Sequence, residues 1–173
     1  FENVNKGDLK EYIDGLKVLD KCGVDFIVMV CNTIHIYYEQ LQRHVKTPIL
    51  DLRKEMRKVL EKKNVKKLMI LATPQTINTD LYTFPNIQYH NPNSEEQQQL
   101  SKIIFEYNRK GYDKEDGDIV RKMIKKYQEK GAQCVLLGCT EFAGILKGES
   151  LQKVDSVEVL VNAVAERQIT RFK

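Results

Sequence analysis

No apolar stretch among the 173 residues approaches the roughly 18 needed for a membrane-spanning helix. A membrane partner is therefore not expected. Cysteines are few: Cys22, Cys31, Cys134 and Cys139 are too sparse for a disulfide framework at this length, and neither a CxxC pair nor a His/Cys cluster stands at zinc spacing. That sets aside a disulfide scaffold and a metal centre, and a reducing, cytoplasmic setting is the expected location. Charge of one sign is lacking too, since Lys+Arg 28 against Asp+Glu 24 leaves only +4. The lysines alternate with glutamates, as in LRKEMRKVLEKKNVKK (residues 52–67), which reads as solvated helical surface and not as a nucleic-acid patch with interleaved aromatics. Nucleic acid is not an expected partner, whereas a small anionic metabolite suits the mildly basic surface. The opening FENVNKGDLKEYI has none of the features of a signal or transit peptide.

What is present describes a globular chain. An apolar fraction of 42% with 30% charged residues is enough for one ordinary domain or two small lobes. Asp8 is positioned to cap a helix whose Leu9, Tyr12, Ile13, Leu16 and Leu19 recur at helical spacing, with Gly23 as its stop. Residues 24–30 form a nearly continuous apolar run, the pattern of a parallel strand covered on both faces. A helix over 34–43, a short strand at 48–51 and an amphipathic helix from Leu52 follow. The run KKLMILAT reads as another buried strand, and Pro74 suits a first helical turn. After a loop region with a short strand at 87–90, helices are expected at 94–109 and 115–130, a strand at 133–138, a short helix from Glu141, a strand at 153–155 and a last helix capped by Ser156. Such alternation predicts an α/β fold with mainly parallel sheets flanked by helices. A boundary near Thr83 divides it into a first lobe (1–83) carrying Cys31 and a second (84–150) carrying Cys139, with 151–173 returning to the first.

One repeat stands out. DKCGVDFIVMVCN (20–32) and QEKGAQCVLLGCT (128–140) align without a gap, each with a helix-ending Gly eight residues before a Cys. Ligand crevices in open α/β sheets lie at the carboxyl ends of strands, so two equivalent lobes would present one thiol each, Cys31 and Cys139, to a shared site. A cysteine at a strand-to-helix corner meets free backbone N–H groups and the positive helix end, which favour thiolate. The polar residues that follow, Asn32 and Thr33 in one copy and Thr140 and Glu141 in the other, suit a carboxylate such as that of an amino acid. Cys22 and Cys134 lack this context and read as inert small apolar residues.

The segments VMVCNTIH and VLLGCTEF resemble the two cysteine signatures of the aspartate/glutamate racemases, the cofactor-independent amino-acid racemases. PILDL, LATPQT, the NRKG turn and VDSVEVL extend the likeness from about Leu9 to the C-terminus. The resemblance implies two pseudo-symmetric lobes around one site, no cofactor, a homodimer, and a two-base reaction in which one cysteine takes the Cα proton of aspartate or glutamate while the other delivers a proton to the opposite face. It places those roles on Cys31 and Cys139. It gives α-carboxylate binding to Asn32, Thr33 and Thr140, and pocket lining to Thr73 and Thr76, although Thr73 equally fits a helix cap before Pro74. Arg109, with Lys110 adjacent, would meet an acidic side chain or simply be a solvated cation at a helix end. Glu141 would support the site or the substrate amine, or stabilise a first helical turn. His35 is expected to pack or cap, and His44 and His90 to lie in loops or at the surface. Chains of this kind begin with a strand, a Gly-rich turn and a substrate-binding arginine, none of which precedes Phe1, so the sequence is expected to be a piece of a longer protein whose first lobe lacks its N-terminal strand region. The alternatives are an isomerase of another small dicarboxylate with a nucleophilic cysteine and a non-catalytic binding lobe for an acidic metabolite.

Overall fold

The computed structural model describes residues 6–171. Its elements in chain order are α1 (Lys6–Lys21), a 3-10 helix (Thr33–Tyr37), α2 (Tyr38–Gln42), α3 (Leu52–Lys62), β1 (Lys67–Leu71), α4 (Pro74–Asn78), β2 (Gln88–Tyr89), α5 (Ser94–Lys110), α6 (Lys114–Glu129), β3 (Cys134–Leu137), α7 (Thr140–Ile145), β4 (Lys153–Asp155) and α8 (Ser156–Arg171). The four strands form one parallel sheet in the order β2-β1-β3-β4. Among the described residues no helix is long and apolar enough to cross a membrane.

The sheet explains the apolar runs. Met69 pairs with Val135 and Ile70 with Leu136, and no residue from 68–71 or 134–137 is more than 4% exposed. Because strand side chains alternate between faces, Leu68, Ile70 and Leu136 pack on one side with Met56 and Leu60 of α3 and Leu160 and Ala163 of α8. Met69, Leu71, Val135 and Leu137 pack on the other with Leu100 and Ile103 of α5, Met123 and Ile124 of α6 and Phe142 of α7. A strand covered on both faces needs no polar alternation.

A separate cluster spans Leu9 to Ile49: Leu9, Leu16, Ile27, Met29, Ile34, Tyr38, Leu41, Val45 and Ile49. Here the structure departs from the strands expected at 24–30 and 48–51. Only a single parallel bridge forms, Ile27 with Ile49, in which the Ile27 N–H donates to the Pro48 carbonyl (2.9 Å) and the Leu50 N–H to the Ile27 carbonyl (2.8 Å). A strand exists only as far as its pairing does, and among the described residues 28–30 have no ladder partner; Val30 is left 54% exposed.

The expected lobes share one sheet, and two expected helix caps are corrected. The boundary near Thr83 falls inside the sheet, because β1 before it and β3 after it pair along four residues, and the apolar clusters divide the chain near residue 50 instead. After residue 150, β4 pairs with β3, and α8 packs on α3, within residues 1–83. Asp8 lies within α1 and not at its start. In the same way Asp155, not Ser156, caps α8: its Oδ1 accepts from the N–H of Val157 (2.8 Å), which leaves the Ser156 hydroxyl free for another partner.

Candidate active site

Two backbone corners meet at the carboxyl edge of the sheet. In the first, the segment from Ile27 turns at Cys31 into the 3-10 helix; in the second, β3 ends, Gly138 follows, and Cys139 leads into α7 with extended backbone (φ −148°, ψ 137°). The glycine is required by close packing of β1 on β3: its N–H donates to the Leu71 carbonyl (2.8 Å), and a Cβ there would lie 3.0 Å from that of Ala72. Cys31 and Cys139, each partly exposed, line one cavity of about 530 Å³. Asn32, Thr33, Thr73, Arg109, Thr140 and Glu141 line it too, together with Val30, Ile104, Phe105 and Asn108 from outside the expected set. Of the expected residues only Thr76 is not in the wall. Among the described residues no three His, Cys, Asp or Glu side chains converge as ligands for a metal ion.

Around Cys139 the second corner is a compact hydrogen-bonded group. The Cys139 thiol donates to Glu141 Oε2 (2.7 Å), Thr140 donates to the same oxygen (3.0 Å), and Asn108 Nδ2 donates to Oε1 (2.6 Å). Burial pushes the Glu141 carboxyl up, but the donors from Cys139, Asn108 and Thr140 outweigh it and hold the group below the usual carboxylate range. Burial, then the adjacent Glu141 charge, push the Cys139 thiol well above its ordinary value. The proton therefore rests on sulfur. This reverses the expected thiolate at this corner, because α7 has only six residues and its end cannot offset desolvation and a neighbouring anion. Asn108 is itself the first residue of the NRKG turn, immediately before the basic pair; that place, on the helix facing the second corner, was the only available signal.

The first corner is tied to the sheet by side chains. Thr33 Oγ1 lies 3.2 Å from Thr73 Oγ1 and 3.3 Å from Thr76 Oγ1, and Thr73 hydrogen-bonds Thr76 (3.1 Å). Thr73 also accepts from the Thr76 N–H (3.3 Å), so it both caps α4 and lines the cavity, while Thr76 acts from behind the wall. Asn32 is 3% exposed; its Nδ2 donates to the Ser156 hydroxyl (2.9 Å) and its Oδ1 accepts from Tyr82. The Asn32 amide thus braces the corner against α8 and the loop after α4. Tyr82 was not legible in sequence, since nothing local marks a tyrosine in DLYTFP. Burial, with Cys31 and Cys139 nearby, pushes its phenol well above the ordinary value, so it remains a donor. Tyr82→Phe would strand the Asn32 carbonyl in a buried place, and urea unfolding is expected to report a loss of about 1–3 kcal/mol. An unchanged midpoint would mean that this bond contributes nothing to the fold.

Arg109 is 62% exposed and donates through Nε (3.2 Å) and Nη2 (2.7 Å) to Glu106 Oε2; Lys110 lies 3.3 Å from Asp113. Of the remaining candidates, Cys22 is exposed and Cys134 buried in β3, where burial raises its thiol. His44 is exposed and His90 half-buried beyond β2.

Comparison with known proteins adds the following. A family model described as Asp/Glu/Hydantoin racemase matches residues 3–164. The broad specificity amino-acid racemase RacX of Bacillus subtilis is 41% identical over 73 residues, 42% of this chain and 32% of RacX, so the match spans about a third of that relative's length. Among solved structures, an aspartate racemase homologue from Pyrococcus horikoshii OT3 superposes with a TM-score of 0.78 at 30% identity over 93% of this chain and 74% of its own. The Picrophilus torridus aspartate racemase superposes with a TM-score of 0.83 at 27% identity, over 96% and 71% respectively.

Proposed function

Because the chain belongs to the Asp/Glu/hydantoin racemase family, we propose that the protein is a cofactor-independent racemase of aspartate or glutamate that uses Cys31 and Cys139 as its two bases. One observation carries the reading: the two thiols, on matched corners 108 residues apart in sequence, line a single cavity large enough for a small amino acid. The acidic substrate is supported by the aspartate racemase and aspartate racemase homologue named above.

In the proposed reaction the Cys31 thiolate removes the Cα proton. The C–H electron pair is left on Cα and spreads into the α-carboxylate. The Cys139 thiol then gives its proton to the opposite face, ending as thiolate while Cys31 ends as thiol. The reverse reaction starts from that second form, so charge and protons balance over a cycle. Two bases are needed because a single one returns the proton to the face it left. Backbone N–H groups of the two corners, with the Thr73 and Thr140 hydroxyls once these turn from Thr76 and Glu141, hold the α-carboxylate as its charge grows. Arg109, once it leaves Glu106, meets the side-chain carboxylate. Both sulfurs must stay reduced, which suits the cytoplasm.

The test is hydrogen exchange at Cα. Full-length protein is incubated with each enantiomer of aspartate and of glutamate in deuterated buffer and followed by NMR. Exchange from both enantiomers of at least one acid is expected, with inversion seen by chiral chromatography. Binding of these acids without exchange would replace the racemase with a non-catalytic acidic-metabolite protein.

A further inference from the structure

His35 is fully buried, four residues after Cys31, and the proposed reaction gives it no task. Its Nε2 lies 3.0 Å from the Met29 carbonyl oxygen. A carbonyl can only accept, so Nε2 carries the hydrogen; Nδ1, buried without a hydrogen-bond partner, is the bare nitrogen of a neutral ring. Desolvation pushes the imidazole's pKa down, in agreement with a ring that stays uncharged. The ring also stacks on Tyr38, with centroids 6.4 Å apart and planes 12° from parallel, and the Tyr38 hydroxyl donates to the Ile49 carbonyl (3.0 Å).

The bond from residue 35 back to residue 29 closes a loop of backbone with Cys31 inside it. The His35 N–H meanwhile donates to the Asn32 carbonyl (3.0 Å), so one residue grips the corner on both sides of the cysteine. Such a clasp has a purpose here. The segment carrying Cys31 has a single ladder bridge, at Ile27, whereas the segment carrying Cys139 is the end of a central strand paired on both sides. The sheet positions one sulfur; something else must position the other. Asn32 and Thr33 tie the chain after Cys31 to the rest of the fold, and we propose that His35 is a positioning residue for Cys31 on the side before it, its Nε2–H fixing the Met29 carbonyl so that the sulfur stays at its place in the cavity. The proposal rests on the two-thiol reading above.

The test compares His35→Gln, whose amide N–H has a similar reach, with His35→Leu, which fills the space without a donor, both in the full-length protein. Two readouts are taken: Cα exchange from each enantiomer, and the iodoacetamide alkylation rates of Cys31 and Cys139 resolved by mass spectrometry in one sample. His35→Leu is expected to lower kcat for the enantiomer deprotonated by Cys31 about tenfold to a hundredfold with KM nearly unchanged, the scale of a misplaced reacting group. It is expected to change Cys31 alkylation severalfold while Cys139 keeps its rate, and His35→Gln is expected to restore both. Equal changes at both cysteines in a folded variant, no change at Cys31, or failure of His35→Gln to restore it would each overturn the proposal. Should His35→Leu not fold, with both thiols reacting at unfolded rates, His35→Asn, too short to reach Met29, takes its place under the same criteria. If the wild type exchanges none of the four substrates, the racemase reading fails by itself, and the selective response of Cys31 alkylation still decides the role of His35.

Discussion

Cys31→Ala and Cys139→Ala are each expected to lower racemisation by roughly a hundredfold to ten-thousandfold, the range supplied by a positioned acid or base. By the usual conversion of about 1.36 kcal/mol per tenfold, the upper end of that range exceeds the loss expected from any other substitution discussed above. The loss should not extend equally to Cα exchange. A protein with one sulfur can still take a proton from one face and return a deuteron to it, so each variant should exchange a single enantiomer, and the two variants opposite ones. Both cysteines are partly exposed; Cys139 touches the edge of the cluster between the sheet and α5 to α7, and Cys31 the edge of the cluster around Ile34, but removing one small side-chain atom from a cavity wall opens no sealed void, so the fold should tolerate both changes. Loss of exchange from both enantiomers in one variant would mean that the two sulfurs act as one unit. Retention of inversion in either would remove the two-base scheme.

Glu141→Gln is expected to move the alkylation profile of Cys139 to lower pH. The sign follows from the geometry: the Glu141 carboxylate accepts the thiol hydrogen at 2.7 Å, and its charge opposes a second anion at that distance. Removing the charge stabilises the thiolate, so at a fixed pH near 8 alkylation should rise about tenfold for each pKa unit recovered. Recovery will be partial, because burial, the larger cause of the upward displacement, remains. Exchange should shift with it toward the enantiomer whose proton Cys139 takes. A profile that stays in place, or moves to higher pH, would show that Glu141 does not hold the Cys139 proton.

Much of the fold was legible because it comes from short-range physics. The apolar runs of β1 and β3, the stop at Gly23 (φ 70°) and the cap at Thr73 each depend on a few neighbouring residues. The matched corners also showed that two thiols sit where a chain turns from extended to helical. Beyond that reach the reading thinned. The run 24–30 has the composition of a buried strand yet forms one bridge, because pairing needs a partner that composition does not provide. Asn32 looked like a ligand-binding amide; Ser156 and Tyr82, far away in sequence, occupy its side chain. Arg109 looked like a free cation, and Glu106 one turn back holds it.

By itself, then, the sequence determined the alternation of helices and parallel strands and the kind of residue at each corner, since periodicity, capping and chirality act within a turn or two of chain. Only the tertiary structure decided that β1 lies against β3, that both sulfurs open into one cavity and that Glu141 holds one thiol's proton. Those outcomes depend on which surfaces meet through space, and burial and hydrogen bonding follow spatial proximity, to which separation along the chain is a poor guide.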